Sequence, residues 1–268
     1  MKVAMTIAGS DPSGGAGLQA DLKTCHQHGV YATSVVTLLT VQNTQAVSAV
    51  QMVDTPFVLA QLDAVLNDLP PACAKTGALG TGEMIEAIAA RAADFSFPLV
   101  VDPVMISKHG QSLIDDQAVK VLVDRLLPRA FLVTPNRFEA ERMTRVEIGS
   151  RHDMLLAAKE IAKSGAANVL IKGGDIDGQA VDLLWADGVD HWFVSDRIDT
   201  RAQHGSGCVF SAAITARIAR GETLLAAVSG AKRFITTAIR TAPGLGQGFG
   251  PVNMMADATL GEESRPRT

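Results

Sequence analysis

Val3-Ala4-Met5-Thr6-Ile7-Ala8-Gly9-Ser10-Asp11-Pro12-Ser13-Gly14-Gly15-Ala16-Gly17-Leu18-Gln19-Ala20-Asp21-Leu22 runs from an uncharged apolar segment, through a polar glycine-rich loop, into a helical pattern. Residues 3–8 read as a strand with no solvent-facing side, which a sheet covered on both faces accommodates. Residues 17–28 follow as a helix with Leu18, Leu22 and Cys25 on one face. The unit then repeats. Strands are expected at 34–41, 73–75, 99–102, 131–133 and 169–172, and helices at 57–66, 83–92, 116–127 and 153–163. Segments 180–185 and 191–194 flank Asp187-Gly188 and read as a hairpin. Two longer helices, 208–220 and 224–238, close the pattern. Such alternation specifies the α/β class, with a mostly parallel sheet between helical layers and a small β-hairpin at its edge. No linker or repeat interrupts residues 1–268, so one domain is expected, its polar tail fraying from about Gly261.

Composition narrows the function. A chain of 268 residues that is 47% hydrophobic and 19% charged is ordinary for an α/β domain. The net charge is −4, no dense Lys/Arg run occurs, and only 4% of residues are aromatic. Nucleic acid therefore finds neither an electrostatic footprint nor a stacking platform. No uncharged apolar run is long enough to span a membrane. The first strand also begins too early for a secretory signal. Cys25, Cys73 and Cys208 are isolated, which disfavours a disulfide framework and structural zinc and fits a reducing cytoplasm.

Polar and glycine signals gather just after the strands, at 9–11, 42–43, 102–103, 134–136 and 172–174, the edge where open α/β sheets bind ligands. The most telling stretch is His204-Gly205-Ser206-Gly207-Cys208, ahead of an apolar helix. Its glycines let successive N–H groups converge, and the helix start adds partial positive charge. That combination suits a phosphoryl group, although a plain turn before a buried helix would be spelled the same way. Gly15-x-Gly17-x-x-Ala20 loosely matches a dinucleotide fingerprint. Its glycines lie beyond the strand–helix turn, however, and no acid between Asp21 and Asp54 is available for the ribose. No Gly-Lys-Ser/Thr phosphate loop occurs either. A glycine-rich segment lying over a substrate is the expectation for residues 9–17.

Asn136 and Glu139 sit three apart on a helix's first turn. They suit water-coordinated magnesium or a capping box, and spacing alone favours the cap. Lys172 ends a strand as a point charge for phosphate, with Gly173 and Gly174 admitting a nucleotide closely. Asp102, before Pro103, suits magnesium or a turn. Gln42 can donate and accept at once, as a heterocycle with an amine beside a ring nitrogen requires. His26 and His28 fall on different helix faces and form no metal pair. His109, His152 and His191 have no assignable partners.

Residues 7–24, Gln42-Asn43-Thr44, Lys75-Thr76-Gly77, Asp102-Pro103-Val104-Met105, Thr134-Pro135-Asn136-x-x-Glu139, Lys172-Gly173-Gly174, Gly205-Ser206-Gly207-Cys208 and Gly248-Phe249-Gly250-Pro251-Val252-Asn253 together resemble the ribokinase superfamily. Within it they are most similar to the hydroxymethylpyrimidine/phosphomethylpyrimidine kinases of thiamine synthesis, over nearly the whole chain. The resemblance implies a three-layer α/β/α ribokinase-like fold and magnesium-ATP as donor. The implied substrate is 4-amino-5-hydroxymethyl-2-methylpyrimidine, phosphorylated on its hydroxyl and then again on the monophosphate. It places Gln42, Asp21, Gly9, Ala16 and Val104 at the pyrimidine and Cys208 at the reacting hydroxyl. Gly205, Ser206 and Gly207 would form the anion hole with Cys208. Asp102 and Glu139 would organise magnesium, and Lys172, Asn136 and Gly173 would meet ATP. Ala78 stands where relatives commonly carry methionine, which leaves the pyrimidine pocket roomier; Gln203 and Phe138 also depart from the usual pattern.

The expected chemistry is in-line transfer to a primary alcohol, governed by positioning and charge neutralisation. Cys208 is a candidate base, since a helix start lowers a thiol's pKa while nearby phosphates oppose that effect. Pyridoxal or pyridoxine kinase is the alternative from the same superfamily. A non-catalytic pyrimidine-sensing protein is the alternative from a different class. A cytoplasmic homodimer is the expected assembly.

Overall fold

The computed structural model describes residues 1–106, 110, 113–176 and 178–259. His109 and the tail from 260 onward lie outside them. The strands are β1 (Val3–Ser10), β2 (Tyr31–Gln42), β3 (Val47–Met52), β4 (Cys73–Thr76), β5 (Leu99–Val101), β6 (Leu132–Val133), β7 (Val169–Ile176), β8 (Gln179–Ala186) and β9 (Val189–Asp196). The helices are α1 (Gly17–Gln27), α2 (Thr55–Asp68), α3 (Gly82–Ala92), α4 (Asp116–Val121), α5 (Arg137–Thr144), α6 (Arg151–Ala162), α7 (Ser206–Ala219) and α8 (Leu224–Arg240).

Among the described residues the strands form one sheet in the order β3-β2-β1-β4-β5-β6-β7-β8-β9. Neighbours from β2 to β7 run parallel; β3, β8 and β9 pair antiparallel. The α/β class and the mostly parallel sheet are as expected. The hairpin turns on Asp187 (φ 52°) and Gly188 (φ 78°), the left-handed pair that a two-residue connection needs. β7 also reverses into β8, so this edge is a three-strand meander. β3 was not anticipated: it is an edge strand exposed on both faces, whose apolar residues therefore keep to no single side.

Period-two alternation explains the layers. Met5, Ile7, Ala74, Leu99, Val101, Val133 and Ile171 pack on the side of α2, α3 and α6. Ala4, Cys73, Val100, Leu132 and Leu170 pack on the side of α1, α7 and α8. Counting on by two carries Thr6, Lys75, Asp102, Thr134 and Lys172 to the second side, near the strand ends. Five polar side chains from five parallel strands thus converge under α1 and α7. The chain leaves β1 toward β2 on one side and returns as β4 on the other. That reversal opens a crevice at the carboxyl ends, where this architecture places ligands.

Candidate functional site

Gly205 adopts φ 74°, and a Cβ there would collide with the Gly15 carbonyl oxygen. Only glycine lets the turn before α7 nest against the loop that follows β1. Ser206 N–H donates to Gln203 O at 3.2 Å, so that amide is spent internally and leaves the expected cradle. The N–H groups of Gly207 and Cys208 have no acceptor among the described residues. A Cβ on Gly207 would lie 3.3 Å from Lys172 Nζ, so this ammonium stands directly over the turn.

Lys172 arrives from β7. Its Nζ donates to Asp102 Oδ1 at 2.9 Å. The remaining Asp102 oxygen accepts from Ser211 Oγ on α7 at 3.0 Å, and Thr134 Oγ1 lies 3.3 Å from Oδ1. Burial opposes charge on Asp102, but Lys172, Lys75 and the Ser211 hydrogen bond hold it below the usual carboxylate range. Lys172 stays charged because Asp102 and Glu139 outweigh its own desolvation.

Asn136 and Glu139 form the capping box that their spacing favours. Asn136 Oδ1 accepts from Glu139 N–H at 2.9 Å, and Glu139 Oε2 accepts from Asn136 N–H at 2.8 Å. Glu139 is nevertheless buried among charges. Burial pushes its carboxyl up to about 7, with Lys172 opposing and the Asp102 charge reinforcing the rise.

Three of the expected residues are engaged within the chain itself. Asp21 is fully enclosed rather than open to a substrate: both oxygens contact Lys75 Nζ at 2.8 Å, and Thr6 Oγ1 donates at 2.6 Å. A buried carboxylate requires such pairing. Gly173 is glycine for its own chain's sake. A Cβ there would strike Met154 and Val181 O, beside the irregularity in the β7–β8 ladder. Cys208 is no thiolate either. Its sulfur accepts from Gly17 N–H, yet burial pushes the thiol up to about 11, and this outweighs both that hydrogen bond and nearby Lys75.

The other expected contact residues sit at the ends of β1 and β2 and in the loops that follow β1 and β5. Gly9 is buried against Leu38. Ala16 donates its N–H to Asp11 Oδ2 at 2.9 Å, Val104 is half-buried in the loop after β5, and Gln42 lies 3.2 Å from His204. Sequence reasoning missed Asp11 and His204 as a pair, 2.8 Å apart and both buried. Each falls inside a quoted motif, but 193 positions separate them and no local pattern joins them.

The family model described as phosphomethylpyrimidine kinase matches residues 11–253. The chain belongs to the phosphomethylpyrimidine kinase family. A hydroxymethylpyrimidine/phosphomethylpyrimidine kinase of Haemophilus influenzae is 46% identical over 97% of this chain and 99% of its own length. One from Synechococcus elongatus is 45% identical over 93% and 96%. A thiamine biosynthesis bifunctional protein of Geobacter sulfurreducens is 50% identical, and the chain spans 51% of its length. Among solved structures, a Bacillus subtilis pyridoxal kinase bound to ADP superimposes with TM-score 0.89 at 38% identity, covering 96% of this chain and 98% of that one. A phosphomethylpyrimidine kinase from Clostridium difficile gives 0.80 at 40% identity, covering 89% and 100%. The ribokinase-like fold expected of the family is thus the fold found.

Proposed function

We propose that residues 1–268 form one kinase domain that transfers the γ-phosphoryl group of ATP to 4-amino-5-hydroxymethyl-2-methylpyrimidine, and then phosphorylates the monophosphate, in thiamine biosynthesis. The observation that carries this reading is the pair of free amides at Gly207 and Cys208 beside the Lys172 ammonium. Fixed donors aimed at developing phosphate charge are the main catalytic resource of phosphoryl transfer. Lys172, anchored by Asp102, brings positive charge to the turn without the freedom of a surface lysine. Gln42 reads the amine and ring nitrogen of the pyrimidine. Cys208 contacts the reacting alcohol as a thiol, and Gly17 N–H fixes the position of its sulfur.

Asp102 and Glu139 fit magnesium. Glu139 is a buried carboxyl disfavoured by burial and by the neighbouring Asp102 charge, and a divalent cation would relieve both. Magnesium takes much of its shell from phosphates and water, so one or two carboxylates suffice to hold it. When bound, magnesium would neutralise phosphate charge. Asn136 holds Glu139 in place through the capping box.

Pyridoxal kinase is the second reading, favoured by the high TM-score to the Bacillus structure. A non-catalytic sensor would have no need of open amides beside a held ammonium. The mass of the product formed from the pyrimidine alcohol with ATP and magnesium tests the proposal. Gains of one and then two phosphoryl groups support it, whereas a strong preference for pyridoxal in parallel assays overturns the substrate choice. The same reading has a cytoplasmic homodimer. No helix among the described residues is long and apolar enough to cross a membrane. Exposed Leu39, Val41 and Val50 on β2 and β3, with Phe57 at the start of α2, support self-association.

A further inference from the structure

Asp11, His204 and Gln42 meet at a single ring nitrogen. His204 Nε2 lies 2.8 Å from Asp11 Oδ2 and 3.2 Å from the carboxamide nitrogen of Gln42. Asp11 is ionised: burial opposes its charge, yet hydrogen bonds from His204 and Ser13 hold it below the usual carboxylate range. A bare lone pair on Nε2 would repel that carboxylate, so Nε2 carries the proton and donates to Asp11. His204 Nδ1 is buried with no hydrogen-bond partner, which agrees, because an unmet buried acceptor is tolerated more readily than an unmet N–H.

A protonated Nε2 cannot also accept from the amino group of Gln42. The two ends of a carboxamide have the same shape, so the neighbours' valence decides which end goes where. Half a turn of the amide sets its carbonyl oxygen against His204 Nε2–H. Its amino group then faces Thr40 Oγ1, which lies 3.3 Å from that end. The Thr40 hydroxyl proton already goes to Ser10 O at 2.9 Å, leaving its oxygen free to accept. The Nε2 proton, one amide proton of Gln42 and the Thr40 hydroxyl proton then each have an acceptor, and the second amide proton is left for a ligand.

We propose that His204, held in its Nε2–H form by Asp11, is a specificity-determining positioning residue that fixes the polarity of the Gln42 carboxamide and so the one orientation in which an aminopyrimidine edge docks. This rests on the kinase reading above. An amine beside a ring nitrogen offers a donor next to an acceptor, and a carboxamide matches the two in only one order. An amide free to flip would accept the ring in either sense, one of which turns the hydroxymethyl group away from the 205–208 turn. A pyridine ring with no amine beside its nitrogen gains nothing from the lock.

The test joins a double-mutant cycle of His204→Ala and Gln42→Leu to nitrogen NMR of the His204 ring. In the wild-type chain the ring should show the neutral Nε2–H signature. His204→Ala should lower kcat/KM for the aminopyrimidine alcohol about ten- to a hundredfold and shrink its preference over pyridoxine equally, with KM for ATP little changed. In the Gln42→Leu background the same replacement should lose less than about threefold. His204→Gln, which restores a donor, should recover most of the preference and stands in if the alanine variant does not fold. A ring protonated at Nδ1 alone, or an equal loss in both backgrounds, overturns the proposal. A wild-type chain that phosphorylates neither alcohol overturns the kinase reading instead, and the ring signature still decides the lock.

Discussion

Two lysine–aspartate pairs lie on the same side of the sheet, both at strand ends and both closed to hydrogen-bond distance. They do opposite work. Lys75 and Asp21 are 1% and 0% exposed, 2.8 Å apart, and Thr6 completes the carboxylate's shell. Burial works against the Lys75 ammonium, yet Asp21 outweighs it and raises the lysine above its ordinary value. Lys172 and Asp102 are 13% and 2% exposed at 2.9 Å, and their ammonium leans over amides that have no acceptor. The first pair is sealed and satisfied from within. The second leaves positive charge beside N–H groups without an acceptor, which in the proposed function a ligand completes. Residue type and pairing distance do not separate structure from function here; unmet hydrogen-bonding capacity does.

The largest effect should come from breaking the sealed pair. Lys75→Met leaves Asp21 buried without its partner, and thermal or urea unfolding should report a loss of about 3–5 kcal/mol. Adding Asp21→Asn should restore most of it, since the neutral amide still accepts from Thr6. If Lys75→Met unfolds at the wild-type midpoint, the sealed pair is not structural.

Lys172→Met should do the converse. Asp102 keeps Ser211 and Thr134, so the unfolding midpoint should move far less than with Lys75→Met. Turnover should fall about 10²–10³-fold, as when a charge-stabilising donor is removed from an active site. Steady-state assays beside a melting curve check both halves. A melt as damaged as that of Lys75→Met would erase the distinction between the pairs.

A smaller effect concerns Cys208. Because burial pushes its thiol up to about 11, alkylation by iodoacetamide should be slow at neutral pH and climb through pH 10 without a plateau, followed by peptide mass analysis. Cys208→Ser should keep kcat within about tenfold, less than general-base catalysis typically supplies. An alkylation plateau near pH 7 would restore the thiolate.

Much of this contrast was legible in sequence. Apolar runs gave the parallel strands, and Gly205 and Gly207 before an apolar helix marked the turn. Asn136 and Glu139 carried the spacing of the cap that they form. Asp21 and Gly173 also carry pairing and packing demands that the motifs did not reveal, because a motif names residues without saying which way they face. Asp21 turns into the sheet toward a lysine 54 positions away, and Gly173 makes room for Met154. The Lys172–Asp102 contact spans 70 positions and emerges only from strand order. The clasp between Asp11 and His204 was hidden for the same reason, and β3 because an edge strand exposed on both faces leaves no alternating pattern.

Amide shifts of the 205–208 turn, recorded as a non-hydrolysable ATP analogue and magnesium are added, test the central claim most directly. The Gly207 and Cys208 N–H resonances should move downfield as they find an acceptor, while Ser206, already bonded to Gln203, should move much less. Saturation with nucleotide that leaves Gly207 and Cys208 where they began would contradict the account.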